Sequence, residues 1–152
     1  MHEQLDAYLR LVRPGGTIIS EELDYLSWHF VPTAPSIGIG VDSPPERQLL
    51  CLIREAFRRA GGEPETFAAQ LAAFRRAGIN PDVRAEIQAL PPGHPYASLP
   101  LQFASALGEL IRTFIDPEVF EAIIERAREE LAVPDRWGFT FTLTQCWGRR
   151  QS

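Results

Sequence analysis

The chain has 152 residues, 45% of them hydrophobic, and its 20 acidic against 15 basic side chains leave a formal net charge of -5. That size suits one core of ordinary extent, and the net acidity, with no segregated basic field, argues against a nucleic-acid partner. Cys51 and Cys146 lie in apolar periodic segments, against a disulfide framework or thiolate metal cluster and for a reducing, cytoplasmic setting, while no apolar run nears the roughly 18 residues of a membrane span and Met1-His2-Glu3-Gln4 opens no leader.

Leu5, Leu9, Leu11 and Val12 form a short helical stripe ended by Pro14-Gly15-Gly16. Thr17-Ile18-Ile19-Ser20 then predicts a strand, and its near-continuous apolar run predicts cover on both faces. Glu21, Glu22 and Asp24 follow at its C-terminal end, the edge beside which ligands sit in open α/β sheets. Residues 27–45, rich in proline and carrying Trp28, His29 and Phe30, predict an ordered loop of the length used for lids and binding loops.

Pro45 to Ala60 carries Leu49, Ile53, Ala56, Phe57 and Ala60 at helical spacing and stops at Gly61-Gly62. A second helix follows, with Pro64 as first residue, Phe67, Leu71 and Phe74 as buried stripe and Gly78 as C-terminal cap. Val83 to Ile87 alternates like a half-buried strand, and Pro91-Pro92-Gly93-His94-Pro95-Tyr96 cannot sustain regular structure. Phe103, Leu107, Leu110, Ile111 and Phe114 line a helix. Asp116-Pro117 opens another as N-cap and first-turn proline, with Phe120, Ile123, Ile124, Ala127 and Leu131 on one face. Phe139, Phe141, Leu143, Gln145 and Trp147 alternate with Thr140, Thr142, Thr144 and Cys146 in a final strand. The pairs Arg58-Arg59, Arg75-Arg76 and Arg149-Arg150 read as solvent anchors where apolar stripes end. Three strands in one sheet would leave an edge beside Thr17 to Ser20 that needs a partner or further sequence to cover it.

Arg13-Pro14-Gly15-Gly16, with the helix before it and Thr17 to Asp24 after it, resembles the segment around the fifth strand of class I S-adenosylmethionine-dependent methyltransferases. Residues Phe74 to Glu86 resemble the helix and sixth strand of that family, and Thr142-Leu143-Thr144-Gln145-Cys146-Trp147-Gly148-Arg149 its seventh. The family's glycine-rich cofactor loop has no counterpart, because Gly38-Ile39-Gly40 follows no convincing strand and opens no immediate helix. The resemblance therefore implies an α/β fold: one partial domain over residues 1–152, the C-terminal half of a Rossmann-like methyltransferase sheet with added helices. S-adenosylmethionine is expected for the complete enzyme and no cofactor for the isolated chain. A missing half or a second copy in a homo-oligomer would cover the sheet edge.

In the resembled family the acceptor pocket maps onto Glu21, Glu22, Asp24, Tyr25, Trp28 and His29, then onto His94, Tyr96 and Phe103. Glu22 and Asp24 are candidates to orient or deprotonate a methyl acceptor, with capping as the alternative; His29 and His94 are candidate general bases, with packing or a turn as theirs. Tyr25, Trp28, Tyr96 and Phe103, with Glu21, are candidate substrate contacts, since aromatic walls with few polar groups suit a small molecule. Scattered histidines without paired ligand spacing predict no metal site. The leading expectation is methyl transfer to a small molecule by the complete protein. Beside it stand a non-catalytic interaction or regulatory subunit and a methyltransferase-like protein with a different reaction.

Overall fold

The computed structural model describes residues 7–8, 10–24, 27, 29–30 and 44–151, and of His29 and Phe30 the backbone alone. Ala7, Tyr8, Arg10 and Leu11 are helical. There follow β1 (Thr17–Asp24), β2 (His29–Phe30), α1 (Pro45–Arg59), α2 (Thr66–Arg76), β3 (Asp82–Glu86), β4 (Ala89–Leu90), a 3-10 helix (Pro95–Ser98), α3 (Leu99–Ala106), α4 (Gly108–Ile111), α5 (Pro117–Leu131), β5 (Gly138–Phe139) and β6 (Thr142–Arg149). These elements fall into two compact units.

Unit 1 comprises Met1–Ser27, Gly62–Gln88 and Phe141–Ser152. Its sheet has the order β1-β6-β3, and β6 runs antiparallel to both neighbours, with Ile19 opposite Trp147 and Trp147 opposite Asp82. Directly opposed residues share a face. Ile18, Ser20, Glu22 and Asp24 thus share one with Gly148, Cys146, Thr144 and Thr142, and α2 packs on it. Ile18, Ala73, Phe74, Ile79 and Cys146 form the core there. Alanines at 69 and 73 are both buried, and their small size lets α2 lie close to the strands. The helix ends as the glycine predicted. Gly78 adopts φ +71°, its N–H donates to Arg75 O (3.0 Å), and Ile79 N–H donates to Phe74 O (2.9 Å), the pair of bonds that closes a Schellman motif. The Ile79 side chain is then seated on β6 at Gly148, where any Cβ would collide with Ile79 Cγ2.

The turn before β1 joins the same sheet. Gly15 N–H donates to Arg150 O (2.8 Å) and Arg150 N–H to Gly16 O (3.0 Å), while the Arg150 guanidinium donates to Arg10 O (2.9 Å) and Val12 O (2.8 Å). Arg150 is therefore a cap on the preceding helical segment, where the sequence suggested a solvent anchor.

The expected C-terminal half of a Rossmann-like methyltransferase sheet is overturned, since every strand pair among the described residues is antiparallel and both sheets are open. Two physical features account for the correction. The strand read as Thr17 to Ser20 continues through Glu21, Glu22 and Leu23 to Asp24 with alternating burial, and Ile19 is 67% exposed, so its apolar run is not covered on both faces. The last strand then runs back between β1 and β3, so neither has a parallel partner. β3 falls where alternation predicted a strand, although all five of its residues are exposed.

Unit 2 comprises Trp28–Gly61 and Ala89–Thr140. Leu49, Ile53 and Ala56 of α1, Ala104 of α3, Ile111 of α4, and Phe120, Ile123 and Ala127 of α5 form one buried cluster. Fully burying such aliphatic and aromatic side chains contributes roughly 1.5–3 kcal/mol each before the entropy of ordering them. Asp116 caps α5 as its sequence indicated, Oδ1 accepting from the N–H groups of Glu118 (2.8 Å) and Val119 (3.3 Å). The helix expected over 103–114 is instead two, α3 and α4, broken at Leu107. A small antiparallel sheet of order β2-β5-β4 completes the unit. The final strand of the sequence reading is thus two strands, β5 here and β6 in unit 1.

Among the described residues no helix is long and apolar enough to cross a membrane.

Candidate functional site

The acidic residues of β1 lie within the strand. Glu21 is exposed and accepts a hydrogen bond from Gln145 Nε2 on the face turned away from α2. Glu22 and Asp24 are half-buried on the α2 side. Around them is a polar network without any periodic sign in the residue pattern. Gln70 is fully buried on α2; its Nε2 donates to Ser20 Oγ (3.0 Å), and its Oε1 accepts from Thr144 Oγ1 (3.0 Å) and from Cys146 Sγ (3.5 Å). Thr144 Oγ1 also lies 3.1 Å from Glu22 O, and Thr66 Oγ1 donates to Leu23 O (2.8 Å). Ser27 donates through both N–H (3.2 Å) and Oγ (2.7 Å) to Asp24 O. Such a satisfied network fixes the register of helix on sheet. Burial pushes the Cys146 thiol above its ordinary value, so it remains protonated and inert at neutral pH.

His94 occupies a different setting, in unit 2. Pro91 to Pro95 turns through a His94 N–H to Pro91 O bond (3.1 Å), and His94 is the N-cap of the 3-10 helix. Its Nδ1 accepts from Tyr96 N–H (3.2 Å), and the two rings meet edge to face at 5.2 Å. A neutral imidazole that accepts at Nδ1 carries its proton on Nε2. The ring then offers a hydrogen-bond donor at Nε2.

His94 lines a cleft of about 370 Å³ together with Ser98, Leu101, Arg128, Leu131 and Arg136. Arg136 is buried; its Nη2 donates to Glu46 Oε1 (3.0 Å), and its Nη1 donates to Glu130 O (2.7 Å) and pairs with the Glu130 carboxylate. Arg128 pairs with Glu125. Ser98 Oγ donates to Pro95 O (3.0 Å) and accepts from Gln102 (3.1 Å). Sequence reading found His94 but missed Arg128 and Arg136, because nothing in their spacing separates a cleft arginine from a solvated one.

The other predicted residues do not all gather here. Tyr96 is exposed beside His94. Phe103 packs on the unit 2 core, edge to face with Phe57 at 6.2 Å. Tyr25 and Trp28, the bulk of the 27–45 loop including Gly38-Ile39-Gly40, and the His29 side chain lie outside the described residues. Glu21, Glu22 and Asp24 belong to unit 1, and His94, Tyr96 and Phe103 to unit 2.

Among the described residues no group of three or more His, Cys, Asp or Glu side chains could hold a metal ion. In the turn that carried the resemblance, Gly15 N–H and Gly16 N–H are already engaged by Arg150 O and Arg13 O (both 2.8 Å), leaving neither glycine N–H to receive a ligand oxygen. Compared with known proteins, the chain matches no family model and no curated sequence.

Proposed function

We propose that this chain binds a small-molecule methyl acceptor, as the acceptor side of an S-adenosylmethionine-dependent methyl transfer whose cofactor is held by residues other than those described. The observation that carries it is the cleft at His94, which joins apolar walls from Leu101 and Leu131 to a few fixed polar groups, the composition of small-molecule sites. The methyl-transfer part rests on the resemblance of the segments at residues 13–24, 74–86 and 142–149. Transfer of a methyl group needs its acceptor held in line more than it needs an acid or base, so a site that positions is sufficient. The test is to incubate the full-length protein with methyl-labelled S-adenosylmethionine and a panel of small aromatic acids, phenols and amines. Label recovered in a small molecule supports the reading; none in any arm, with the cofactor shown to bind, overturns it.

A second reading, a non-catalytic interaction subunit, is favoured by the β1-β6-β3 face turned away from α2, where Ile19 and Leu23 are exposed and Trp147 is half-buried. Sedimentation of the wild-type protein against Ile19→Lys separates it from the first. Loss of an assembled species in the variant supports an interface, and an unchanged monomer removes it.

A further inference from the structure

We infer that the cleft at His94 takes a small organic acid, its carboxylate received by His94 Nε2–H and its compact apolar body lying against Leu101, Leu131 and Val133. The inference rests on the cleft being the small-molecule site proposed above, and it names the ligand class. The polar side chains on the lining decide the choice. Arg128 and Arg136 can only donate, and His94 donates at Nε2 once Nδ1 is engaged by Tyr96 N–H. The Ser98 hydroxyl proton is directed to Pro95 O. No carboxylate lines the cleft; the nearby acids Glu46 and Glu130 hold Arg136, and Glu125 holds Arg128. A ligand amine would find one acceptor side chain in the lining, the Ser98 hydroxyl oxygen, already shared with Gln102, whereas a carboxylate would find donors.

One feature opposes an anion, and the structure offsets it. The cleft borders the C-terminal end of α5, the negative pole of that helix. Glu130 O is occupied there by Arg136 Nη1 and by Val133 N–H (3.4 Å), and Ala132 N–H donates to Arg128 O (3.0 Å) and Glu129 O (3.2 Å). Three carbonyls of the last turn, Arg128 O, Glu129 O and Glu130 O, are therefore already engaged beside the cleft.

The experiment uses the whole chain labelled with nitrogen-15, and two probes with the same body, 3-phenylpropanoate and 3-phenylpropylamine. Imidazole spectra should show His94 protonated on Nε2, and 3-phenylpropanoate should move its signal together with those of Leu131 and Val133. The amine should move none of them at the same concentration. His94→Asn keeps an oxygen acceptor at the N-cap but removes the Nε2 donor, so the melting temperature should hold while affinity for 3-phenylpropanoate falls at least about tenfold, the scale of a lost charge-assisted hydrogen bond. Ala132→Phe, which changes an exposed lining residue and fills the cleft, should abolish binding without touching the cap. A proton on Nδ1, equal binding of the amine, or undiminished affinity in either variant would overturn the inference. Failure of the transfer reaction is separable: 3-phenylpropanoate bound at His94 without methyl transfer to any acceptor retains the acid site and removes the reaction. Methyl transfer confined to neutral acceptors, with 3-phenylpropanoate unbound, retains the reaction and removes the acid site.

Discussion

The two units hold their helices in different ways. In unit 1, α2 is fastened to its sheet by hydrogen bonds as much as by apolar contact, through Gln70, Ser20, Thr144 and Thr66. In unit 2, α1, α3 and α5 meet through Leu49, Ile53, Ala104, Phe120, Ile123 and Ala127, with one buried ion group at Arg136 as the polar exception. The contrast follows from what each surface offers. α2 brings Phe67, Leu71 and Phe74 to a small apolar core with Ile18, and where the face beneath it turns to Ser20, Glu22 and Thr144, matched donors and acceptors add direction to that contact. Helices with leucine, isoleucine and phenylalanine stripes have area enough, and packing volume fixes them.

The largest effect is expected in unit 2 from Phe120→Ala, which should cost about 4 kcal/mol by lost burial and the cavity left behind, read as lowered denaturation midpoint and lowered amide protection in α5. Next, Arg136→Met should cost about 3–4 kcal/mol by leaving Glu46 and Glu130 with an unmatched buried charge; adding Glu46→Gln should recover part of that, and full additivity would show the pair is uncoupled. In unit 1, Gln70→Leu keeps volume but strands Ser20 and Thr144 without their partner. A loss of about 2 kcal/mol is expected, read at the amides of β6. A loss below about 0.5 kcal/mol would place α2 with the apolar helices of unit 2 and erase the distinction.

The smallest effect is the titration of Cys146. Burial raises its folded-state value above the ordinary 9.0, so the folded protein holds this proton more tightly than the unfolded chain. The stabilising contribution is full below pH 9.0 and is lost as the pH rises from there through the folded value. The melting temperature should therefore fall more steeply above that pH in wild type than in Cys146→Ala. A thiol reagent at neutral pH should label exposed Cys51 and spare Cys146 until the chain unfolds.

The parts of the fold that were legible are those set by local chemistry. α1 and α5 are strongly amphipathic, Asp116-Pro117 is a cap with a reason, and Gly78 ends α2 because only that backbone conformation closes the motif. Strand pairing was not legible. Periodicity reveals that Thr17 to Ser20 is extended, but it does not say which strand lies beside it or in which direction, and the four apolar-flanked residues concealed an eight-residue strand that alternates through three carboxylates. Likewise Phe139 and Trp147 keep one alternation in sequence although the chain leaves one sheet and enters another between them. At the site, His94 was visible from its proline-rich turn. Its Nδ1 contact with Tyr96 N–H was not, because that is a matter of three-dimensional position. Arg128, in the last turn of α5, and Arg136, in the segment after it, line the cleft from far along the chain, beyond the reach of any spacing argument.

The place of β6 has a consequence for how the protein is made. Unit 2 is complete once the ribosome has released Thr140, but the sheet of unit 1 has its middle strand at Thr142–Arg149, between two strands synthesised long before. Until β6 emerges, β1 and β3 have no partner in that sheet, and Ile18, Phe74 and Ile79 wait without Cys146 to close the core. Domains generally fold as they appear, from the N-terminus onward. Here β1, although made long before β6, keeps an unpaired edge in that sheet until β6 emerges.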